Sequence, residues 1–348
     1  MNEIGWNHLA HARTPFKRDV PALQGSGEAG SYDAWAVDCP FVFRHNGKFY
    51  MMHVGFDGLG YRTALATSDD LLEWRPEGVI LDRGEDRSRW DHVGAAGSWI
   101  VLESNDLYET PRLKKIDGKY WMVYHSYPEF GYETGGAKMG LAWCEDEDLM
   151  TWYRLDDPIL TYENGGDWER AGLYKCCVIE AEGRYWMFYN AKDRPEWPWT
   201  EETGLAVSDD LVHWTRHADN PVLPTEAGTF YSQYLSDPCI RFDREAGAWL
   251  NFGFGFDGER AQGALAVSRD LLAWEVLSEP SVPHGGAGEL DERHAHKSSV
   301  LYWNGTLYHY YCACRPGRPG DRTNIPDDAG AGEFRCIALA TSKRLNKE

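Results

Sequence analysis

The feature that most constrains this chain is a phrase that recurs along it. Small and apolar residues, then Ser-x-Asp-Leu or a close variant, then a Trp, occur as TALATSDDLLEW ending at Trp74, GLAWCEDEDLMTW ending at Trp152, GLAVSDDLVHW ending at Trp214 and GALAVSRDLLAW ending at Trp274. A truncated copy, IALATSKRL, lies near the C-terminus. Each is preceded by a glycine turn and an alternating aromatic run: NGKFYMMHVGF, DGKYWMVYHSY, EGRYWMFYNAK, AGAWLNFGFGF and NGTLYHYYCAC. Asn-Gly or Asp-Gly ahead of such a run is a hairpin signal. A third phrase comes before the turn, as DCPFVFRH, ETPRLKKI, KCCVIEA, DPCIRFD and HKSSVLYW. These begin at Asp38, Glu109, Lys175, Asp237 and His296-Lys297, and the intervals from Asp38 through to Lys297 are 71, 66, 62 and 60 residues. Each copy reads strand, tight turn, strand, loop, strand, with the Trp phrase leading to an outer strand. Five such units predict an all-β chain folded as a five-bladed β-propeller of four-stranded antiparallel blades. Residues 1–348 read as one such domain.

The two ends fit together in this scheme. The fifth copy stops at its third strand, while the segment from Thr14 to Gln24 resembles the outer strand PVL of other copies. The N-terminal segment is expected to complete the last blade, which leaves no open edge. The Ser and Asp of the Trp phrase are expected to bond a turn, its Trp to pack between blades, and most aromatic-strand residues and cysteines to fill the core.

Composition narrows the partners. The formal net charge is -20, from 35 basic and 55 acidic residues. A nucleic-acid backbone or an anionic membrane wants a basic surface, so neither is expected as a partner. No apolar run reaches the ~18 residues that span a bilayer. The N-terminus MNEIGWNHLAHARTPFKRD lacks a basic region followed by an apolar core, and the eight cysteines lack paired CxxC spacing. A cytoplasmic protein with reduced thiols is expected; oligomeric state is not legible.

Chemistry is expected where the first strands begin, because these line the tunnel of a propeller. Asp38, Glu109, Lys175, Asp237, His296 and Lys297 would then converge at one mouth. Several charges aimed at one point are expensive to desolvate unless they serve a purpose. Loops ahead of the blades add Asp91 and Glu169, and Trp197, in RPEWPWT, offers a ring at the rim. His294-Ala295-His296 offers an imidazole to a metal. No phosphate-binding glycine loop, HExxH or GxSxG is present.

With these motifs in hand, the chain resembles the five-bladed propeller glycoside hydrolases: the family 43 arabinanases and xylosidases, the family 32 invertases and the family 130 mannoside phosphorylases. The resemblance runs from about Trp35 to Leu345 and rests on the repeat, Asp38-Cys39-Pro40, Glu109-Thr110-Pro111-Arg112 and Ser236-Asp237-Pro238. It implies Asp38 as base or nucleophile and Glu109 as a second acid. The sequence departs from the pattern twice. Thr110 stands where the phosphorylases have their catalytic Asp. Tyr174-Lys175-Cys176 stands where families 43 and 32 carry the general-acid Glu. The acid then comes from Asp237, Glu109 or Glu169. His296 resembles an axial histidine near a central calcium in some family 43 enzymes, which implies a structural calcium here; no other cofactor is expected. Glycoside cleavage needs an acid for the leaving oxygen and a carboxylate that attacks or activates water. The expected function is hydrolysis of a terminal or short-oligosaccharide glycosidic bond. Asp38, Glu109 and Asp237 would be catalytic, and Arg112, Lys175, Glu169, Asp91, Trp197, His296 and Lys297 would bind the carbohydrate. The alternatives are a glycoside phosphorylase, with Arg112, Lys175, His296 and Lys297 holding phosphate, and a non-catalytic carbohydrate-binding propeller.

Overall fold

The computed structural model describes residues 9–321, 325 and 332–345. Among them the chain is nearly all strand, and the only helical elements are the single 3-10 turns Ala10–Ala12, Tyr162–Asn164 and Asp167–Glu169. The chain is built from successive antiparallel meanders. The first contains Ala36–His45, Lys48–Phe56, Tyr61–Ser68 and Arg75–Leu81. The second contains Ala96–Ile100, Lys119–Ser126, Lys138–Cys144 and Tyr153–Arg154. The third contains Leu173–Ala181, Arg184–Lys192, Glu201–Ser208 and Thr215–Arg216. Next, Tyr234–Ser236 and Ile240–Asp243 act as one interrupted strand beside Ala248–Phe256, followed by Ala261–Ser268 and Trp274–Val276. Last come His294–Trp303, Thr306–Pro316 and Glu333–Thr341. The N-terminal strands Phe16–Lys17 and Leu23–Gln24 pair with Glu333–Thr341.

Turn chemistry explains the hairpins. Asn46-Gly47, Asp117-Gly118, Glu182-Gly183 and Asn304-Gly305 all have φ between 45° and 83° at both positions. That is the turn whose twist suits a two-residue hairpin. The Trp phrase is likewise a local device. Ser68 Oγ accepts from the N–H groups of Asp70 and Leu71, and Asp70 Oδ1 from those of Leu72 and Glu73. The same bonds recur at Ser208-Asp210 and Ser268-Asp270. The indole N–H groups of Trp152, Trp214 and Trp274 close these turns on the carbonyls of Leu149, Leu211 and Leu271. These residues are structural, as expected.

One large apolar cluster joins the first four meanders, with Phe43, Trp99, Phe188 and Phe252 in it. A second joins the first meander to the last, through Val37, Met51, Tyr310 and Ile337. No helix among the described residues is long and apolar enough to cross a membrane.

One repeat assignment is corrected. The first strand of the second meander is Ala96–Ile100, and ETPRLKKI is not its counterpart. A long connection, residues 101–118, separates Ala96–Ile100 from its hairpin partner Lys119–Ser126, and Glu109 to Arg112 lie within it. This insertion is why the first interval in the repeat is the longest.

Candidate active site

The first strands share an irregularity at one level. Their pairing slips between Asp38 and Phe41, Gly97 and Trp99, Tyr174 and Cys176, and His296 and Ser299. In the fourth meander the strand breaks outright at Asp237. Cys39, Lys175, Asp237 and Lys297 have φ of 51°, 27°, 54° and 59°. Positive φ is costly for residues with a Cβ and clusters where a strand re-aims a side chain for function. Here it turns Asp38, Lys175, Asp237 and Lys297 into one electrostatic neighbourhood, in which each feels the charge of others in the set.

Asp38 is 1% exposed and fully engaged. Its Oδ2 accepts from Lys297 Nζ and from Arg335 Nη1, both at 2.7 Å, and its Oδ1 accepts from the Cys39 N–H at 2.8 Å. Burial alone would raise this carboxyl. The Lys297 and Arg335 charges outweigh it and hold Asp38 well below the usual carboxylate range. Arg335 also donates to Glu333 Oε1, from Nε at 3.0 Å and Nη2 at 2.8 Å.

Asp237 is the opposite case. Its backbone N–H donates to Asn190 Oδ1 at 2.8 Å and its Oδ1 accepts from Asn190 Nδ2. Its Oδ2 is buried without a hydrogen-bond partner. Burial pushes this carboxyl up to about 6, against the pull of Lys175 and Lys297.

Two further carboxylates stand beside these. Glu133, on the loop between Lys119–Ser126 and Lys138–Cys144, has a side chain 24% exposed. Its Oε1 accepts from the Tyr61 hydroxyl at 2.9 Å and lies 3.5 Å from Lys297 Nζ. Burial works to raise it, but Lys297, Lys192 and Arg335 bring it down to about 2. Glu201, the first residue of its strand, accepts from Trp199 Nε1 at 3.0 Å and from Ser236 Oγ at 3.3 Å. Burial raises it, and Lys192, at 4.0 Å, only partly compensates. Sequence reasoning missed Glu133, Glu201, Arg335 and Asn190. The available signal was that third strands begin, and second strands end, at the same end of each meander where first strands start.

The structure does not bring all the expected residues together. Glu109 and Arg112 are exposed. Beside them the Pro111 carbonyl accepts from the Arg44 N–H at 2.7 Å. Arg44 is six residues along the strand from Asp38, roughly 20 Å at the strand rise, so Glu109 and Arg112 belong to the other end. Asp91 and Glu169 are fully buried locks. Asp91 accepts from the Tyr124 hydroxyl at 2.7 Å and Arg89 Nε at 2.9 Å. Glu169 accepts from the Tyr189 hydroxyl at 3.0 Å and Arg216 Nε at 2.7 Å. No oxygen of either is left for a ligand. Trp197 is 53% exposed, edge-on to Trp199, which bonds Glu201. Trp35, Leu59 and Phe130 are also exposed, and the Gly131 N–H, next to Phe130 in the loop that carries Glu133, donates to the Leu59 carbonyl.

His296 is 7% exposed and its Nδ1 lies 3.1 Å from the Cys312 carbonyl. Around it stand Cys312, Cys314, the rings of Phe254 and His294, and the cations Lys297 and Arg335. Calcium takes six to eight oxygen ligands. The Asp38 carboxylate that bears on His296 has both oxygens engaged by Cys39, Lys297 and Arg335, and the sulfur, rings and cations that make up the rest do not fit calcium.

This strand-built site, with carboxyls displaced in opposite directions beside exposed rings, is that of a propeller-type glycosidase. The family model for the "Glycosyl hydrolases family 32 N-terminal domain" matches residues 104–292, more than half the chain. The chain belongs to that family. It is 24% identical over 221 residues to a beta-1,2-mannobiose phosphorylase of Thermoanaerobacter sp. (strain X514), covering 51% of this chain and 70% of that one. A 1,2-beta-oligomannan phosphorylase of the same strain is 25% identical over 182 residues, covering 51% of this chain and 49% of its own length, so the match spans about half of that relative. Among solved structures, a glycoside hydrolase is 29% identical, with a TM-score of 0.78 over 97% of this chain and 94% of its own.

Proposed function

We propose that this glycosidase cleaves a terminal or short-oligosaccharide glycosidic bond with Glu133 as the ionised carboxylate and Glu201 as the proton donor. One observation carries the reading: two neighbouring carboxyls, both under the charge of Lys192, are displaced in opposite directions, Glu133 down to about 2 and Glu201 upward. Glycoside cleavage needs such a split, with one acid protonated and one carboxylate charged at the same pH. Of the ionised pair, Glu133 has side-chain surface for a substrate. Asp38 has both oxygens occupied and serves to fix Lys297 and Arg335. Asp237 is the buried neighbour whose carboxyl is lifted by burial first and by Glu201 in part. Trp197 and the other exposed rings offer faces on which a sugar can stack.

The same reading takes the meanders as five blades around one axis, with Phe16–Lys17 and Leu23–Gln24 as the outer strands that lock the last blade to the ring. The eight free, buried cysteines suit a reducing, cytoplasmic setting. A second reading is phosphorolysis. It is favoured by Lys175, a buried lysine whose ammonium makes no hydrogen bond among the described residues and would suit a phosphate oxygen.

The test is a screen of nitrophenyl glycosides and oligosaccharides, with and without phosphate, using wild type beside Glu133→Gln and Glu201→Gln. Loss of roughly 10²–10⁴-fold in kcat for both variants is expected. Wild-type rates in either variant would remove it from the catalytic pair. Turnover that requires phosphate would select the second reading, and sugar binding without turnover would identify a carbohydrate-binding propeller.

A further inference from the structure

We propose that His296, Cys312 and Cys314 form a binding site for one thiophilic divalent cation, of which Zn²⁺ is the natural example, in the wall beside Asp38. Cys312 and Cys314 are two apart on the strand Thr306–Pro316, so their side chains leave the same face. His296 is the residue directly opposite Cys312 in the neighbouring strand. This register alone brings the three side chains together. One donor atom from each lies within 4.8 Å of the others, and the two sulfurs are 4.0 Å apart. Tetrahedral zinc with Zn–S near 2.3 Å spans two thiolates at about 3.8 Å, so the sulfur pair already stands within tenths of an ångström of the span, and the imidazole closes the site by moving in toward it.

A second observation points the same way. His296 Nδ1 lies 3.1 Å from the Cys312 carbonyl. A backbone acceptor there places the ring proton on Nδ1 and leaves Nε2 with its lone pair, which is how metal-binding histidines are held. The sulfurs are free thiols and well beyond the ~2.05 Å of a disulfide. A donor set of two sulfurs and one imidazole selects Zn²⁺ over Ca²⁺ or Mg²⁺. On binding, each thiol gives up its proton to solvent, and the two thiolates and the imidazole bond the cation. The two protons lost balance the two charges of the cation, so the net charge of the site does not change, and the nearby Lys297 and Arg335 stay paired with Asp38. Nothing in this site depends on which carboxylates cleave the sugar.

The test uses the purified full chain, stripped with a chelator and titrated with Co²⁺, whose thiolate complexes absorb by charge transfer. The expected result is one cobalt per chain with that absorption, displaced by Zn²⁺ and absent in Cys312→Ser and Cys314→Ser. Thermal melting of the serine variants checks that they are folded. Wild-type protein that gains no charge-transfer band, or a folded Cys314→Ser that keeps it, overturns the site. The wild-type spectrum decides alone if the serine variants do not fold.

Discussion

Lys297 Nζ stands 2.7 Å from Asp38 Oδ2, an ion pair between the first meander and the last, and the same ammonium lies 3.5 Å from Glu133 Oε1. Lys297 is therefore a cation shared by two carboxylates, with Arg335 helping to hold both charged. Removing one partner from a buried pair leaves an uncompensated charge and costs on the order of 3 kcal/mol. Lys297→Met is expected to be less stable by about that amount at pH 7, measured by denaturant unfolding. The pH dependence has a definite sign. Asp38 and Glu133 both have folded values below their unfolded ones, so their stabilisation is present above the unfolded range and is lost as pH falls through the folded values. For Glu133 that window runs from 4.5 down to about 2. Wild type should lose stability on acidification through this range, and Lys297→Met should lose less.

The identity of the proton donor can be read from the alkaline limb of kcat/KM. Glu201 must hold its proton to act, and its carboxyl is raised by burial. Activity should fall as pH rises through that value. In Glu201→Gln the limb should vanish, together with most of the rate on substrates with poor leaving groups. Aryl glycosides with good leaving groups need less protonation and should lose least. A limb that persists in Glu201→Gln and disappears in Asp237→Asn would transfer the role to Asp237.

Asp237 also leaves a mark on stability. A carboxyl lifted from 3.8 to about 6 is one whose ionisation the fold resists. The penalty is absent below the unfolded value, grows between the unfolded and folded values, and is constant above the folded one. A displacement of that size corresponds to about 3 kcal/mol. Asp237→Asn keeps a carbonyl to accept from Asn190 and cannot ionise. Whatever the amide costs in place of the unpartnered Oδ2, that cost does not change with pH. The stability of wild type relative to the Asp237→Asn variant should therefore decline by up to about 3 kcal/mol between about pH 4 and pH 7; a difference independent of pH would mean Asp237 titrates normally.

Much of this was legible because the repeat is written in local chemistry. Asn-Gly and Asp-Gly set hairpins, Ser-x-Asp-Leu set turns, and the equivalent positions Asp38, Lys175, Asp237 and Lys297 fell at one level because each lies at the irregularity a few residues into a first strand. Where an insertion shifted the second copy, the same reasoning misplaced Glu109 and Arg112; the apolar run GAAGSWIVL was the better strand signal. Glu133, Glu201 and Arg335 were missed for another reason. They come from a loop and from the first residues of third strands, whose approach to Asp38 and Lys297 depends on the packing of whole meanders rather than on any phrase.

The buried acids outside the mouth offer the sharpest contrast with those inside it. Asp91 sits at 0% exposure between Arg89, Arg154 and Tyr124, and Glu169 at 1% between Arg216 and Tyr189. Each ties the approach to a first strand onto its own meander, so neither touches a substrate. Asp91→Ala and Glu169→Ala strip a carboxylate from buried partners and should each destabilise by about 3–5 kcal/mol. In protein kept well below its melting temperature, kcat/KM should stay within a few-fold of wild type. Glu109→Gln, on the exposed far end, should change neither quantity. A loss of roughly 10²-fold or more in kcat for Glu169→Ala, the scale of a lost general acid, with an unchanged melting temperature would instead make Glu169 part of the chemistry. The third meander would then supply its acid from ahead of its first strand.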